Sequence, residues 1–104
     1  MAPSTSFVKN VATRLSLSKH VEELRFLVSP QSSGSKGLRE FIESAYVDMK
    51  KLNPLCPMLV REHGEVQATI VARFDKGRES TARVENLGPE QVAQELEKLI
   101  DGKV

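Results

Sequence analysis

The sequence is poor in cysteine and in aromatic residues, and each shortage excludes a class of protein. Cys56 is the single cysteine in 104 residues. This excludes an intramolecular disulfide, a cysteine-based zinc site and a Cys-x-x-Cys redox pair. Tryptophan is absent, and four phenylalanines and one tyrosine are the only aromatic residues. They leave no platform for stacking bases once a core is built. With so little cysteine and no secretory leader, we expect an intracellular protein.

Long apolar runs and a strong net charge are also missing. No stretch approaches the roughly 20 apolar residues that cross a bilayer, so we expect no membrane span. Hydrophobic residues make up 39% and charged residues 28% of the chain, a balance typical of one folded domain of this length. The formal net charge of +1 argues against a protein whose main task is to neutralise phosphates.

The first 20 residues differ from the rest of the chain. They contain Lys9, Arg14 and Lys19 without any acidic residue, which gives +3, whereas the remainder carries −2. Apolar residues recur among them at roughly helical spacing: Phe7, Val8, Val11, Ala12 and Leu15. This pattern predicts a mitochondrial targeting segment, or alternatively a basic tail that docks on a partner. We place the folded domain at residues 21–104.

The first half of that domain predicts a strand, a helix and a second strand. Residues 21–28 end almost continuously apolar, which is typical of a central strand covered on both faces. One apolar stripe then predicts a helix: Leu38, Phe41, Ile42, Ala45, Met49 and Leu52. Pro54 ends this helix, and residues 58–61 form the next strand. A strand–helix–strand unit makes the two strands parallel.

The second half predicts a hairpin and a closing helix. Val66, Ala68, Ile70, Ala72 and Phe74 alternate with polar residues, and a turn at 75–77 leads to an edge strand over 79–84. Pro89 opens a helix for which Gly102 is a candidate cap. The resulting β-α-β-β-β-α order predicts a four-stranded mixed sheet covered by helices, the α/β layout of a small thioredoxin-like domain.

No motif in this layout predicts catalysis, a cofactor or a metal. The place of a thioredoxin-like thiolate, after the first strand, holds Ser29-Pro30-Gln31-Ser32-Ser33. The stretch Ser32–Gly37 lacks the spacing of a nucleotide-binding loop, and helix capping accounts for its residues. His20 and His63 have no neighbours at metal-ligand spacing, and no Gly-x-Ser-x-Gly motif occurs. We therefore expect a protein that is not an enzyme and has no small-molecule substrate.

Several separate blocks of the sequence resemble a known family, and they occur in the same order along the chain. They are Gly34-Ser35-Lys36-Gly37-Leu38-Arg39-Glu40-Phe41-Ile42-Glu43, Tyr46–Pro54, Pro57–Glu62, Val66-Gln67, Ala72-Arg73-Phe74 and Gly77-Arg78-Glu79. From Leu24 to Lys103 the chain is similar to a family of small mitochondrial thioredoxin-like proteins, and most similar to its accessory subunit of respiratory complex I (NADH:ubiquinone oxidoreductase). The resemblance implies a non-catalytic role in assembling or stabilising the matrix arm, peripheral to the inner membrane on its matrix side, with other complex I subunits as partners.

The sequence also departs from that family, and it leaves two alternatives open: contact with rRNA and, less favoured, a free thioredoxin-like adaptor. Some members of the family carry two cysteines where this chain has Ser29 and His63, so the resemblance implies no redox role here. Arg61, Glu62 and Arg73 match the shared pattern and are our candidate partner contacts; the alternative is that they pair within the fold. The same family includes mitochondrial ribosomal proteins, so the second hypothesis is contact with rRNA. The −2 charge of residues 22–104 disfavours it.

Overall fold

The helices and strands follow the predicted order in a computed structural model that describes residues 21–101. The elements are β1 (Val21–Val28), α1 (Lys36–Leu52), β2 (Met58–Glu62), β3 (Thr69–Phe74), β4 (Glu79–Arg83) and α2 (Pro89–Asp101). The sheet has the order β2-β1-β3-β4, in which β2 runs parallel to β1 while β3 runs antiparallel to β1 and β4. The predicted mixed sheet is therefore confirmed. The amino-terminal extension and the Gly102 cap lie outside the described residues.

The hydrophobic core lies between both helices and one face of the sheet. Phe26 and Phe41 meet at its centre, with ring centroids 6.4 Å apart. The core residues of the helices include Leu38, Ala45, Met49, Val92 and Leu96, and those of the strands include Leu24, Val28, Ile70, Ala72 and Phe74. Burying one large apolar side chain contributes about 1.5–3 kcal/mol, so this packing holds the helices on the sheet.

The other face of the sheet is not covered by either helix, which corrects one expectation. We predicted that β1 would be buried on both faces. Instead Glu23, Arg25 and Leu27, which alternate with the core residues of β1, remain partly exposed. Two of the three are charged. The alternation of polar and apolar residues in the first part of β1 therefore predicted one exposed face better than the apolar run at the end of the strand did. We call this surface the open face.

Side chains of α1 attach the helix to the start of β2. The Tyr46 hydroxyl donates to the Met58 carbonyl at 3.0 Å, and Lys50 Nζ donates to the Cys56 carbonyl at 2.8 Å. α1 ends before Pro54, as predicted, with Asn53 N–H bonded to the Met49 carbonyl at 2.9 Å. These bonds hold the approach to β2 under the helix.

The hairpin and the last helix also follow the sequence prediction closely. A tight turn over Asp75–Gly77 joins β3 to β4, and Lys76 and Gly77 adopt positive φ there. β3 begins at Thr69 rather than at Val66, because Val66 N–H bonds to the His63 carbonyl in a turn. Within residues 21–101 no helix has the length and apolar character that a membrane crossing requires.

Candidate functional site

The open face is the largest surface that the fold leaves without helix cover, and four arginines lie on it. The strand registers place alternate residues there: Glu23, Arg25, Leu27, Leu59, Arg61, Thr69, Val71, Arg73, Glu79, Thr81 and Arg83. Leu27 and Val71 are half-buried among these polar neighbours, and Leu59 is exposed. Arginine is one of the residues that are enriched at protein contacts, and four of them lie on this face.

At one end of the open face the charges already pair with each other. Arg25 Nη2 lies 2.9 Å from Glu79 Oε2, and Arg25 Nε lies 3.2 Å from Glu23 Oε2. Arg25 Nε is buried and makes no hydrogen bond within the described residues, so its contact with Glu23 counts only as an ion pair. Arg73 Nη1 lies 4.0 Å from the other oxygen of Glu23. Pairs this exposed contribute about 0–1 kcal/mol each.

At the opposite end, two arginines have no such partner. Arg61 pairs in register with Leu27, and Leu27 pairs with Thr69, which in turn faces Arg83. Neither the Arg61 nor the Arg83 guanidinium makes an ion pair or hydrogen bond within residues 21–101. Both stand exposed at opposite edges of one row across the sheet, about 14 Å apart at ordinary strand spacing.

The three predicted contact residues do not form one cluster. Arg61 and Arg73 share the open face, but their register partners Leu27 and Glu23 lie four residues apart along β1, about 13 Å. Glu62 pairs with Val28 and therefore lies on the helix-covered side, exposed at the sheet edge. Sequence reasoning did not include Arg25 or Arg83 among the partner contacts, although the same period-two alternation places them on the same face.

A depression of about 450 Å³ opens at the end of β1 and β2, lined by Arg25, Leu27, Arg61, His63, Glu65 and Val66. His63 is exposed, and its Nδ1 accepts a hydrogen bond from Glu65 N–H at 3.3 Å. Among the residues that the structure describes, no three His, Cys, Asp or Glu side chains gather as a metal site would need. The depression is thus an extension of the open face beside Arg61.

Ser29 and His63, which the resemblance matches to two cysteine positions, are neighbours in space. His63 N–H bonds to the Val28 carbonyl at 3.1 Å, so His63 continues β2 beside Ser29 at the end of β1. The Ser29 hydroxyl accepts from Gln31 N–H and Ser32 N–H and donates to the Gly64 carbonyl at 3.2 Å. Ser29 is fully buried and its hydroxyl holds the loop together, which is a structural role and not that of a nucleophile.

The glycines at the start of α1 are explained by close packing. A Cβ at Gly37 would overlap the Leu87 carbonyl, and one at Gly34 would overlap the Glu85 carboxylate. Glu85 is fixed in place because it accepts from Ala68 N–H at 2.7 Å. An acidic side chain therefore lies at the amino-terminal end of the helix region, where a phosphate would have to bind. This geometry supports the prediction that the stretch is not a nucleotide-binding loop.

The lone cysteine is buried where it enters β2. Cys56 Sγ lies 3.8 Å from the Val21 carbonyl oxygen. Burial raises the pKa of the Cys56 thiol above its ordinary value, Lys50 partly offsets this, and Glu23 adds to it. The thiol therefore stays protonated near neutral pH, which is the opposite of what an attacking thiolate needs.

Known proteins resemble this chain along most of its length. A family model described as the mitochondrial ribosomal protein L51 / S25 / CI-B8 domain matches residues 38–89. The chain is 40% identical over 90 residues to NADH dehydrogenase (ubiquinone) 1 alpha subcomplex subunit 2 of Arabidopsis thaliana, covering 86% of this chain and 93% of that protein.

Two further relatives come from an animal and a fungus. The protein of the same name from Mus musculus is 37% identical over 83 residues, covering 80% of this chain and 84% of the relative. The NADH-ubiquinone oxidoreductase 10.5 kDa subunit of Neurospora crassa is 31% identical over 87 residues, covering 84% of this chain and 93% of the relative. The similarity to all three spans most of each protein.

Proposed function

Because this chain belongs to the L51 / S25 / CI-B8 domain family, we propose that it is an accessory subunit of mitochondrial NADH:ubiquinone oxidoreductase (complex I). The observation that carries the proposal is the similarity to NADH dehydrogenase subunits over 80–86% of the chain. Each of these relatives is also covered for 84% or more of its length, so the likeness concerns whole small subunits and not one shared motif.

The role that we propose is structural and not catalytic. Two side chains that could act as nucleophiles serve the fold instead: Ser29 closes a loop, and Cys56 is buried, which raises the pKa of its thiol. What the domain offers to a neighbour is its outer surface. We infer that it stabilises or helps to assemble the matrix arm, and that it lies peripherally on the matrix side of the inner membrane. The basic, acid-free segment 1–20 supports mitochondrial import.

The contacts with a neighbouring subunit are proposed to involve Arg61, Arg73 and Glu62. Arg61 is the strongest of the three, because its exposed guanidinium has no partner within the part of the chain described. Arg73 lies on the same face but already approaches Glu23. Glu62 stands at the β2 edge of the sheet, on the other side. The proposed contact surface therefore begins on the open face and continues around the β2 edge of the sheet to Glu62.

Contact with rRNA is the less supported alternative. The family name covers ribosomal proteins as well, and the open face does carry four arginines. However, Glu23 and Glu79 lie among them and would repel phosphates, while the three phenylalanines of the described residues are buried. The face therefore lacks both the uniform positive charge and the aromatic platform of an RNA-binding sheet.

Fractionation of detergent-solubilised mitochondria tests the proposal. We expect the full chain to co-migrate with NADH dehydrogenase activity, and its depletion to lower the amount of assembled enzyme without changing turnover per assembled complex. Arg61→Glu should reduce incorporation, whereas Lys76→Glu, the same charge change on an exposed turn, should not. Co-migration with rRNA would support the ribosomal alternative, and normal complex levels with slowed turnover would contradict a structural role.

A further inference from the structure

β2 is an edge strand, and half of its backbone groups point away from the sheet. Leu24 N–H bonds to the Pro57 carbonyl at 3.0 Å, and His63 N–H bonds to the Val28 carbonyl at 3.1 Å. With the parallel register Leu24↔Met58 to Val28↔Glu62, the odd-numbered residues of β2 bond to β1. The N–H and C=O groups of the even-numbered residues therefore face outward: Met58, Val60 and Glu62.

Among residues 21–101, only a side chain at the beginning of this edge bonds to its outward groups. The Tyr46 hydroxyl bonds to the outward carbonyl of Met58. Farther along, the outward backbone groups of Val60 and Glu62 have no partner within residues 21–101. The free stretch thus offers a short row of donors and acceptors that another extended backbone would satisfy.

The side chains along this edge are unusually apolar for an exposed strand. All large apolar side chains that are exposed between residues 21 and 101 fall within the segment 47–60, namely Val47, Leu52, Leu55, Leu59 and Val60. Leu59 is 46% exposed on the open face, and Val60 is 40% exposed on the opposite face. An added strand would therefore cover apolar surface on both of its sides.

The opposite edge, β4, shows how this fold protects a free strand. Phe74 N–H bonds to the Arg78 carbonyl at 2.7 Å and Val84 N–H to the Ala68 carbonyl at 2.9 Å. In this antiparallel register the outward backbone groups belong to Glu79, Thr81 and Arg83. Their side chains are charged or polar, which is how natural proteins discourage pairing at a free edge.

We propose that the free edge of β2 accepts an extended segment of another protein, which adds a fifth strand to the four-stranded sheet. The occupant is an extended polypeptide, because only a backbone supplies the alternating donors and acceptors that Val60 and Glu62 lack. It carries apolar side chains next to Leu59 and Val60, and an acidic one next to the unpaired Arg61. This inference rests on the proposed function, since it describes how the subunit docks.

A second copy of this chain that pairs across Val60 fits the edge less well than a different protein. If two β2 strands paired across a two-fold axis at Val60, Leu59 of one copy would face Arg61 of the other. An apolar side chain would then lie opposite a charged one. A neighbour with its own sequence can instead place an apolar residue against Leu59 and a carboxylate against Arg61.

Amide hydrogen exchange tests the proposal directly. The purified full chain is compared with the same chain within intact, purified NADH dehydrogenase. We expect the Val60 and Glu62 amides to exchange about tenfold or more slowly in the complex, while the outward Thr81 and Arg83 amides at β4 change little. Unchanged exchange at Val60 and Glu62 in a complex that contains the chain would overturn the edge inference and leave the proposed function standing. Protection that increases with concentration of the chain alone would favour a second copy instead.

A matched pair of proline variants provides the genetic test. Val60→Pro removes one outward N–H without breaking the β1 ladder, and Thr81→Pro does the same at the β4 edge. We expect Val60→Pro to bind its neighbours about two- to tenfold more weakly than wild type and Thr81→Pro to bind normally. Val60→Lys, which keeps the N–H but places a charge on the edge, should also weaken binding. Normal incorporation of both Val60 variants would refute the inference.

Discussion

The two faces of the sheet are made from the same strands, yet they differ in burial and in charge. Ile70 and Val71 are adjacent on β3, but Ile70 is completely buried under the helices while Val71 lies half-buried on the open face. On the covered face, apolar side chains pack against the helices. On the open face, Arg25 and Arg73 form ion pairs with acidic side chains. Stability therefore depends on one set of alternate residues of the strand, and the proposed partner contact depends on the other.

This separation has a clear physical basis. Truncating a side chain on the covered face leaves a cavity that the close-packed interior cannot fill, so the free energy of unfolding falls. A substitution on the open face changes groups whose charges water already screens, so it changes the stability of the fold little. The effect on binding is larger, because a partner would remove that water. Three predictions test how complete the separation is.

The largest difference in stability is expected between truncations of two adjacent residues of β3 that lie on opposite faces of the sheet. Ile70→Ala should lower the free energy of unfolding by about 2–5 kcal/mol, and Phe41→Ala by about 3–5 kcal/mol, because each opens a cavity. Val71→Ala should cost less than about 1 kcal/mol. Urea unfolding of the three variants measures this. Equal losses for Ile70 and Val71 would show that the open face is part of the core.

An intermediate effect is expected where α1 meets the loop before α2. Gly→Ala inside a helix ordinarily stabilises by about 1 kcal/mol. Gly37→Ala should instead destabilise by about 1–3 kcal/mol, because the new methyl group meets the backbone carbonyl of Leu87, which cannot rotate away. Gly88→Ala, where a Cβ has open space, should change stability by less than about 0.5 kcal/mol. A gain in melting temperature for Gly37→Ala would contradict the close approach.

The smallest effect is expected on the open face itself. Arg25→Met removes the contacts with Glu23 and Glu79 and should cost less than about 1 kcal/mol at low salt. The loss should shrink toward zero in about 1 M salt, where charges are screened within a few ångströms. Arg83→Met, which removes no ion pair among residues 21–101, is the control and should show no salt dependence. A salt-independent loss for Arg25→Met would mean that the side chain acts through packing.

Much of the fold could be predicted from the sequence because its signals are local. The alternation over residues 68–74 correctly separated the buried side chains from Val71 and Arg73. Pro54 and Pro89 marked a helix end and a helix start. The candidate site was harder to predict. Glu62 was grouped with Arg61 by adjacency, although neighbouring residues of a strand must lie on opposite faces.

By itself the sequence determined the order of helices and strands, most residues of the core, and the absence of dithiol redox chemistry, since each depends on residue type and short-range spacing. Tertiary structure alone decided that β2 lies at an edge, that the open face stays free of both helices, and that Gly37 must be glycine. These features depend on which distant segments pair and how closely they approach. Pairing of distant segments balances chain entropy against packing over the whole domain, so short-range spacing does not reveal it.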